Sequence, residues 1–541
     1  MRDLIEKHPY WTILILWGCV FLAHLGVLYP NIMEARNFIT AREMLTEGNW
    51  ILTTMDGLPR YEKPPLPTWL TAFSGALFGF KSLAGLRLPA AFITLVLLFV
   101  MYALSRKLTH NKTYALVTTL VLGTSFYIIF AGRNGTWDIF AHSFMLLGIY
   151  FLFQFFETSW QLYTNSLLAG LFIGLSFMSK GPVSHYALLL PFLIAYGVIY
   201  RFADFRKKWV PLALMILIIT ILSAWWGYYI YLFDADDATR IAEKESGRWI
   251  DYETKPFYYY WSFFTQSGIW TIPGFICLLY PYLKSRVSNL KAYQFVLLWT
   301  LASLLLLSII PTKKSRYLLP VLIPLAMTIG FYMEYLFLYF KTTTRRWETW
   351  PVYFNYGLIA TIGIAFPIGA FLYLGPQLEG HYVSYILTSI ALVCVGVFLF
   401  IQLRKKNFAK VFYGTISFIL FTVALGFPLA NALLGNPEYE TFSELKKSSL
   451  PILTLDNLTP ELVWEYGEIT KHTSMSELRQ QQQLDSIMVL TTFEKDKTRL
   501  DSLRSDYSVE WKGTVDLNPL DSTRSSYKDR LKSDYYLLSR N

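Results

Sequence analysis

A carboxylate, an ammonium and two prolines stand together at Glu62-Lys63-Pro64-Pro65, directly after Tyr61. The prolines stiffen the backbone, so the two charges are held in place. Lys63 suits a phosphate, and Glu62 suits a metal ion or a substrate hydroxyl; a stiff loop without a ligand is the plainer alternative. Asp138 opens the apolar run DIFAHSFMLLGIYFLF and has two readings. It caps a helix N-terminus, where a carboxylate is stabilised, or it faces a cavity at membrane depth with His142 one turn below. Glu34 is a third acid, in the stretch NIMEARNFITAREML. Cations accompany these acids: Arg36, Lys63, Arg133, Lys180 in a Ser-Lys-Gly-Pro turn, and Lys313, Lys314 and Arg316 in one short loop. Such a set suits a lipid phosphate or diphosphate. Together with a carboxylate as base and a wet cavity, it is what transfer from a lipid-phosphate donor requires.

The elements that must position these residues lie in a membrane. Of 541 residues, 54% are hydrophobic and 16% charged, against about 25% charged in a soluble domain. The aromatic share of 18% suits the two interfaces of a bilayer. Most Lys and Arg sit in short loops, so the net charge of +10 reads as topology and not as nucleic-acid binding. Cys19, Cys277 and Cys394 lie in apolar runs and suggest neither disulfides nor zinc. The run from Trp11 to Leu28 is expected to be a retained first helix rather than a cleaved signal.

Fourteen apolar runs approach spanning length, at about 11–30, 67–84, 88–105, 112–130, 138–157, 163–179, 182–200, 209–233, 259–282, 292–311, 317–339, 353–374, 382–402 and 409–434. Basic loops at 106–112, 201–208, 284–291, 341–346 and 404–406 read as cytoplasmic. That parity leaves both ends of 67–84 outside, so this run is expected to be interfacial or re-entrant. The fold class is therefore an all-α polytopic membrane protein of about thirteen transmembrane helices, with a small soluble α/β domain at the C-terminus. The expected domains are 1–434 in the membrane and 435–541 in the periplasm, with the composition changing at Gly435-Asn436. Strand-like runs at 451–455, 487–493, 509–515 and 535–538, and helical stretches at 439–447 and 459–469, fill the second domain. The stretch 31–45 reads as an amphipathic surface helix, with Phe38, Ala41 and Leu45 on one face and Glu34, Arg36, Asn37, Thr40 and Glu43 elsewhere.

In these motifs the sequence resembles the bacterial membrane glycosyltransferases of the GT-C fold, above all the lipid A aminoarabinose transferases and the protein O-mannosyltransferases. The resemblance rests on Glu34 with Arg36, on Glu62-Lys63-Pro64-Pro65, on Asp138, on Lys180-Gly181-Pro182, on Lys255-Pro256-Phe257 and on Arg316 through Pro320. It departs where the family carries a leading aspartate and a tyrosine, since Met33 and Asn37 stand there. It implies an inverting enzyme of the inner membrane that moves a sugar from a polyprenyl-phosphate donor to a lipid A-like or glycan acceptor at the outer face. Glu34, Asp138 and Glu62 are then the catalytic candidates. Arg36, Lys63, Arg133, Lys180, Lys313 and Arg316 are the donor-binding cations, and Glu62 is the ligand of a divalent ion (Mg, Mn or Zn). Because Met33 accepts no proton, the base is Glu34 or Asp138, or the acceptor is an ionised phosphate. Transfer to Ser/Thr of exported proteins is the rival acceptor. A lipid or glycan flippase is the rival class, against which stands the lack of two related halves with broken helices. A monomer is expected.

Overall fold

The helix Leu83–Thr109 fixes the two ends of the molecule. Its 27 residues extend about 40 Å at 1.5 Å per residue. Arg87 at its start pairs with Glu34, and Arg106 and Lys107 lie in its last turn. At that far end His110 takes a left-handed conformation and Asn111 caps the next helix by accepting from Tyr114 N at 3.1 Å, so two residues suffice to reverse the chain.

The computed structural model describes residues 2–157, 160–202, 208–434, 442, 445–447, 450–455, 457–480, 486–492, 500–519, 522–523 and 527–541. Among these, eight helices are long and apolar enough to cross a bilayer. A ninth crossing results if Lys112–Gly123 and Phe126–Gly132, bent by 68°, count as one. The chain is thus a multi-pass membrane protein. Helix Leu319–Tyr339 is buried almost throughout and forms the axis of the core, whereas Trp209–Phe233 turns most of its apolar surface outward, as lipid contact allows.

The expected count of thirteen is not reached by helix length. Pro9–Leu22, His185–Ile199 and Phe408–Ala424 are shorter apolar helices. The expected span 259–282 is broken into 3-10 turns at Phe257–Tyr260 and Phe263–Trp270, a six-residue helix at Thr271–Ile276 and one turn at Tyr280–Leu283. Gly268 has φ 68°, which only glycine adopts easily, and Pro273 and Pro281 interrupt the ladder. The run at 67–84 forms a helix of 13 residues, Leu66–Phe78, too short for the roughly 20 residues a crossing needs. Thr68 Oγ1 donates to Asn37 at 2.7 Å, and Ser74 Oγ donates to Gly85 O. Both its ends therefore stay at the level of the Ile32–Thr46 helix, with Phe73 and Leu77 exposed.

Ile32–Thr46 is no surface helix. Asn31 caps it with a reciprocal capping box to Glu34, and ten of its fifteen residues are buried, Glu34, Arg42 and Glu43 among them. It lies between the bundle and the soluble domain. Phe38 packs against Trp464 with ring centroids 5.4 Å apart, and Arg42 donates to Glu468 O. Glu43 accepts from Thr54 Oγ1, Asp56 N and Gly57 N, so its carboxylate pins the hairpin of β1 (Thr54–Met55) and β2 (Leu58–Pro59). Asp56 and Gly57 both have positive φ, as an Asp-Gly turn of this kind requires.

The C-terminal unit is a four-stranded sheet of β3 (Ile452–Thr454), β4 (Ser486–Thr491), β5 (Tyr507–Asp516) and β6 (Lys532–Arg540), in the order β3-β4-β6-β5. β3 and β4 are parallel and the other pairs antiparallel. Short helices Pro460–Tyr466 and Met475–Gln480 accompany it. The expected boundary at Gly435-Asn436, most of the helical stretch 439–447 and part of the loop 201–208 lie outside the described residues.

Candidate active site

Loop 47–65, the turn after Lys180, the helix Ala235–Asp251 and the loop 310–317 enclose a cavity of about 570 Å³ beneath the soluble domain. Eight of its lining residues are Lys or Arg and two, Glu62 and Glu245, are carboxylates. Among the described residues, three lining side chains hold buried polar atoms without a hydrogen-bond partner: Arg36 Nε, Arg316 Nε and Glu62 Oε2. Burial without a partner is costly for charged groups. Three such groups around one void mark a place built for a polar ligand.

The remaining cations are poised in different ways. Lys63 reaches Glu245 at 3.1 Å and Lys314 reaches Glu253 at 3.2 Å. Lys180, from the end of Leu162–Lys180, is buried against Asp138 at the start of Asp138–Glu157, and Tyr317 lies 5.4 Å from its ammonium. Asp138 itself does not line the cavity; the structure gives it to Lys180. His142 Nδ1 and Ser184 Oγ are 2.8 Å apart one turn deeper. Arg60 donates to Thr40 Oγ1 at 3.0 Å and lies over the Trp137 ring at 5.0 Å. Burial pulls the Arg60 guanidinium down to about 10 and also lowers Arg36; an anion in the cavity would oppose both shifts.

Three sequence candidates point elsewhere. Glu34 accepts from Arg87 Nε at 2.7 Å, from Arg87 Nη2 at 3.0 Å and from Gly135 N at 2.9 Å, away from the cavity. Arg133 donates to Val20 O and His24 O and lies over Phe427. Lys313 donates to Ile310 O and Lys255 O, which ties together the two outer loops that form the Thr254–Thr312 bridge. Each is held by protein partners and none lines the cavity. Asn37 likewise links Thr68, Thr71 and Gly135 O. Met33 lines the cavity, so no carboxylate stands at that point of the wall.

Arg60, Glu245 and Arg248 also line the site and were not singled out in the sequence. Arg60 stands two residues before Glu62 in an outer loop, and that proximity was the available signal. Among the described residues no group of three His, Cys, Asp or Glu surrounds a common point. Glu62 offers one carboxylate among cations. A metal there would need its shell completed by substrate and water.

The family model for dolichyl-phosphate-mannose-protein mannosyltransferase matches residues 62–228. An uncharacterized protein from Aquifex aeolicus is 27% identical over 305 residues, 55% of this chain and 58% of its own. The undecaprenyl phosphate-alpha-4-amino-4-deoxy-L-arabinose arabinosyl transferase of Photorhabdus laumondii is 27% identical over 325 residues, 55% of this chain and 54% of its own. The chain thus spans little more than half the length of these relatives. The crystal structure of ArnT from Cupriavidus metallidurans bound to undecaprenyl phosphate superposes with a TM-score of 0.71 at 15% identity, covering 98% of this chain and 97% of that one. Its apo form gives 0.67, again at 15% identity, over 99% and 98%. The chain is thus similar in fold, along nearly its whole length, to ArnT from Cupriavidus metallidurans, and similar in sequence, over little more than half its length, to aminoarabinose transferases.

Proposed function

We propose that this protein is an inverting glycosyltransferase that moves a sugar from a polyprenyl-phosphate donor to a lipid or glycan acceptor, at the periplasmic face of the inner membrane. The observation that carries this reading is the trio of unpartnered polar atoms, on Arg36, Arg316 and Glu62, around one cation-rich cavity. The resemblance to ArnT supports it, since that enzyme was crystallised with undecaprenyl phosphate. In this reading the N-terminal 434 residues are the catalytic membrane domain. Thirteen crossings result when the bent pair, the three shorter apolar helices and the broken segment 257–283 are each counted as one.

Arg36, Arg316 and Lys63 hold the donor phosphate, and Lys180, oriented by Asp138, supplies a further charge. As the acceptor oxygen bonds to the anomeric carbon, the bond from that carbon to the phosphate oxygen breaks on the opposite face, and the cations stabilise the departing phosphate. Glu62 receives the proton when the acceptor is a hydroxyl; an acceptor phosphate, with its second pKa near 6, needs no such base. The family model's description favours a second reading, in which a protein hydroxyl is the acceptor. Mass spectrometry of membrane lipids, surface glycans and exported proteins, from cells with and without this protein, separates the two. A sugar lost from lipid or glycan supports the proposal, and one lost from protein alone replaces it. No glycan change in any fraction refutes both.

A further inference from the structure

At the end of the bundle opposite the soluble domain, a second cavity of about 830 Å³ opens between the start of Pro9–Trp17 and the end of Leu83–Thr109. It shares no residue with the candidate active site. Lys7, Arg106 and Lys112 line it against one carboxylate, Glu6. Glu6 is turned into the protein: Thr113 Oγ1 donates to it at 3.0 Å and Tyr413 OH at 3.4 Å. The three cations form no ion pair among the described residues.

A loop on the cytoplasmic side carries positive charge for topology alone, so the cations by themselves identify nothing. The second observation is Tyr102. It is 1% exposed and lines the cavity beside Arg106, which lies near its oxygen as a donor, and among the described residues its O–H finds no acceptor. A buried O–H without an acceptor costs free energy, and a ligand oxygen in the cavity would remove that cost. Two helix N-termini also converge here. These are the starts of Pro9–Trp17 and Lys112–Gly123; the C-terminal ends of Arg2–Lys7 and Leu83–Thr109 oppose them, so the helix dipoles do not decide the sign of the ligand's charge and the side chains do. Tyr10 and Trp11 stand on the rim, 54% and 66% exposed. Aromatic side chains of this kind sit at headgroup depth, which makes the mouth of the cavity lipid-facing.

We propose that this cavity binds the headgroup phosphate of an acidic phospholipid in the leaflet opposite the soluble domain. Arg106 and Lys112 hold the phosphate, the Tyr102 hydroxyl donates to one of its oxygens, and Tyr10 and Trp11 flank the glycerol ester region. The aromatic rim favours a membrane lipid over free phosphate.

The test uses the full chain, stripped of lipid and then offered phosphatidylglycerol, phosphatidylcholine or inorganic phosphate, with retention read by native mass spectrometry. The wild-type chain is expected to retain phosphatidylglycerol over phosphatidylcholine, and millimolar inorganic phosphate should not displace it. R106Q/K112Q should lose roughly 25-fold in affinity, at about 5-fold for each juxtamembrane cation. Y102F removes only the donor and keeps the ring, so it should bind a few-fold more weakly at an unchanged melting temperature. If the double variant fails to fold, Y102F decides by itself. Equal retention of the two lipids, equal retention by Y102F and wild type, or displacement by inorganic phosphate would each overturn the proposal.

Discussion

Among the described residues, Arg36 and Arg316 are the cations of the cavity with a buried donor nitrogen that lacks a hydrogen-bond partner, and Glu62 has a buried acceptor oxygen in the same state. Losing Arg36 would therefore remove a proposed donor contact, and losing Arg316 would do the same while also taking a partner from Tyr317 and a nearby charge from Asp138. A charge-assisted bond is worth about 1.5–3 kcal/mol. Arg36→Ala and Arg316→Ala should each raise the KM for a polyprenyl-phosphate sugar by roughly 10- to 150-fold, with extracted yield unchanged. Glu62→Gln keeps size and loses basicity. Turnover on a hydroxyl acceptor should fall roughly 100-fold while donor affinity holds, and steady-state kinetics reads both. Glu34→Gln should do the reverse. It breaks a pair in which both partners are buried, and such a break costs about 3–5 kcal/mol. The melting temperature should drop before any kinetic constant moves; a normal melting temperature with lost turnover would return Glu34 to the chemistry. Sequence could not separate these two acids. Both stand in the first outer loop, and what distinguishes them is Arg87, a cation more than fifty residues away whose direction no local pattern discloses. Arg133 and Lys313 were opaque for the same reason: the backbone carbonyls that receive them leave no trace in residue type.

The helix Ala235–Asp251 carries the cavity's second carboxylate, and it packs chiefly on the helix that precedes it. Its Glu245 engages Lys63 at 3.1 Å, the cation next to Glu62. Burial alone would raise the Glu245 carboxyl, but Lys63 and Arg248 outweigh that and hold it below its ordinary value. The sign follows. A depressed carboxylate contributes fully above its ordinary pKa, and the contribution disappears as pH falls through the depressed one. The helix should thus stay latched at neutral pH and loosen in acid. Hydrogen exchange over 235–251, corrected for the intrinsic rate, should show less protection below about pH 4. A partly exposed pair is worth at most about 1 kcal/mol, so Glu245→Gln should free Lys63 and lower the donor KM by no more than about 5-fold. A higher KM would mean that Glu245 positions Lys63 rather than competing for it. At this scale much was legible. Apolar runs and basic loops located most of the helices, and parity excluded 67–84 as a crossing, consistent with a helix of only 13 residues. The segment 259–282 was legible as an apolar run but not as a broken one, because hydropathy does not register Gly268 with its positive φ. Ile32–Thr46 was misread because its charges are satisfied by other parts of the chain rather than by water.

The soluble domain bears on the cavity through that same helix. Asp56, at the tip of the β1–β2 hairpin, accepts from Thr470 N at 2.7 Å, from Thr470 Oγ1 at 2.6 Å and pairs with His472 Nε2 at 3.1 Å. Phe38 and Trp464 add an apolar contact, and Tyr29 OH donates to Glu465. The strands of this domain could be read as short strand-like runs, but its docking could not, because Asp56 and Thr470 lie more than four hundred positions apart. Arg36 sits on Ile32–Thr46, which this domain covers, so the grip of the domain and the aim of Arg36 are mechanically linked. Asp56→Ala would leave the Thr470 amide, buried at that contact, without an acceptor, at a cost of about 1–3 kcal/mol. The domain should then become more sensitive to protease. If it steadies Arg36, the donor KM should rise several-fold, although Asp56 does not line the cavity. Trp511→Ala, on the exposed strand β5 at the sheet edge, supplies the control and should change neither. A loosened domain with an unaltered KM would show that the domain rides on the enzyme without shaping its site; a raised KM with kcat little changed would show that the cavity is completed from outside the membrane.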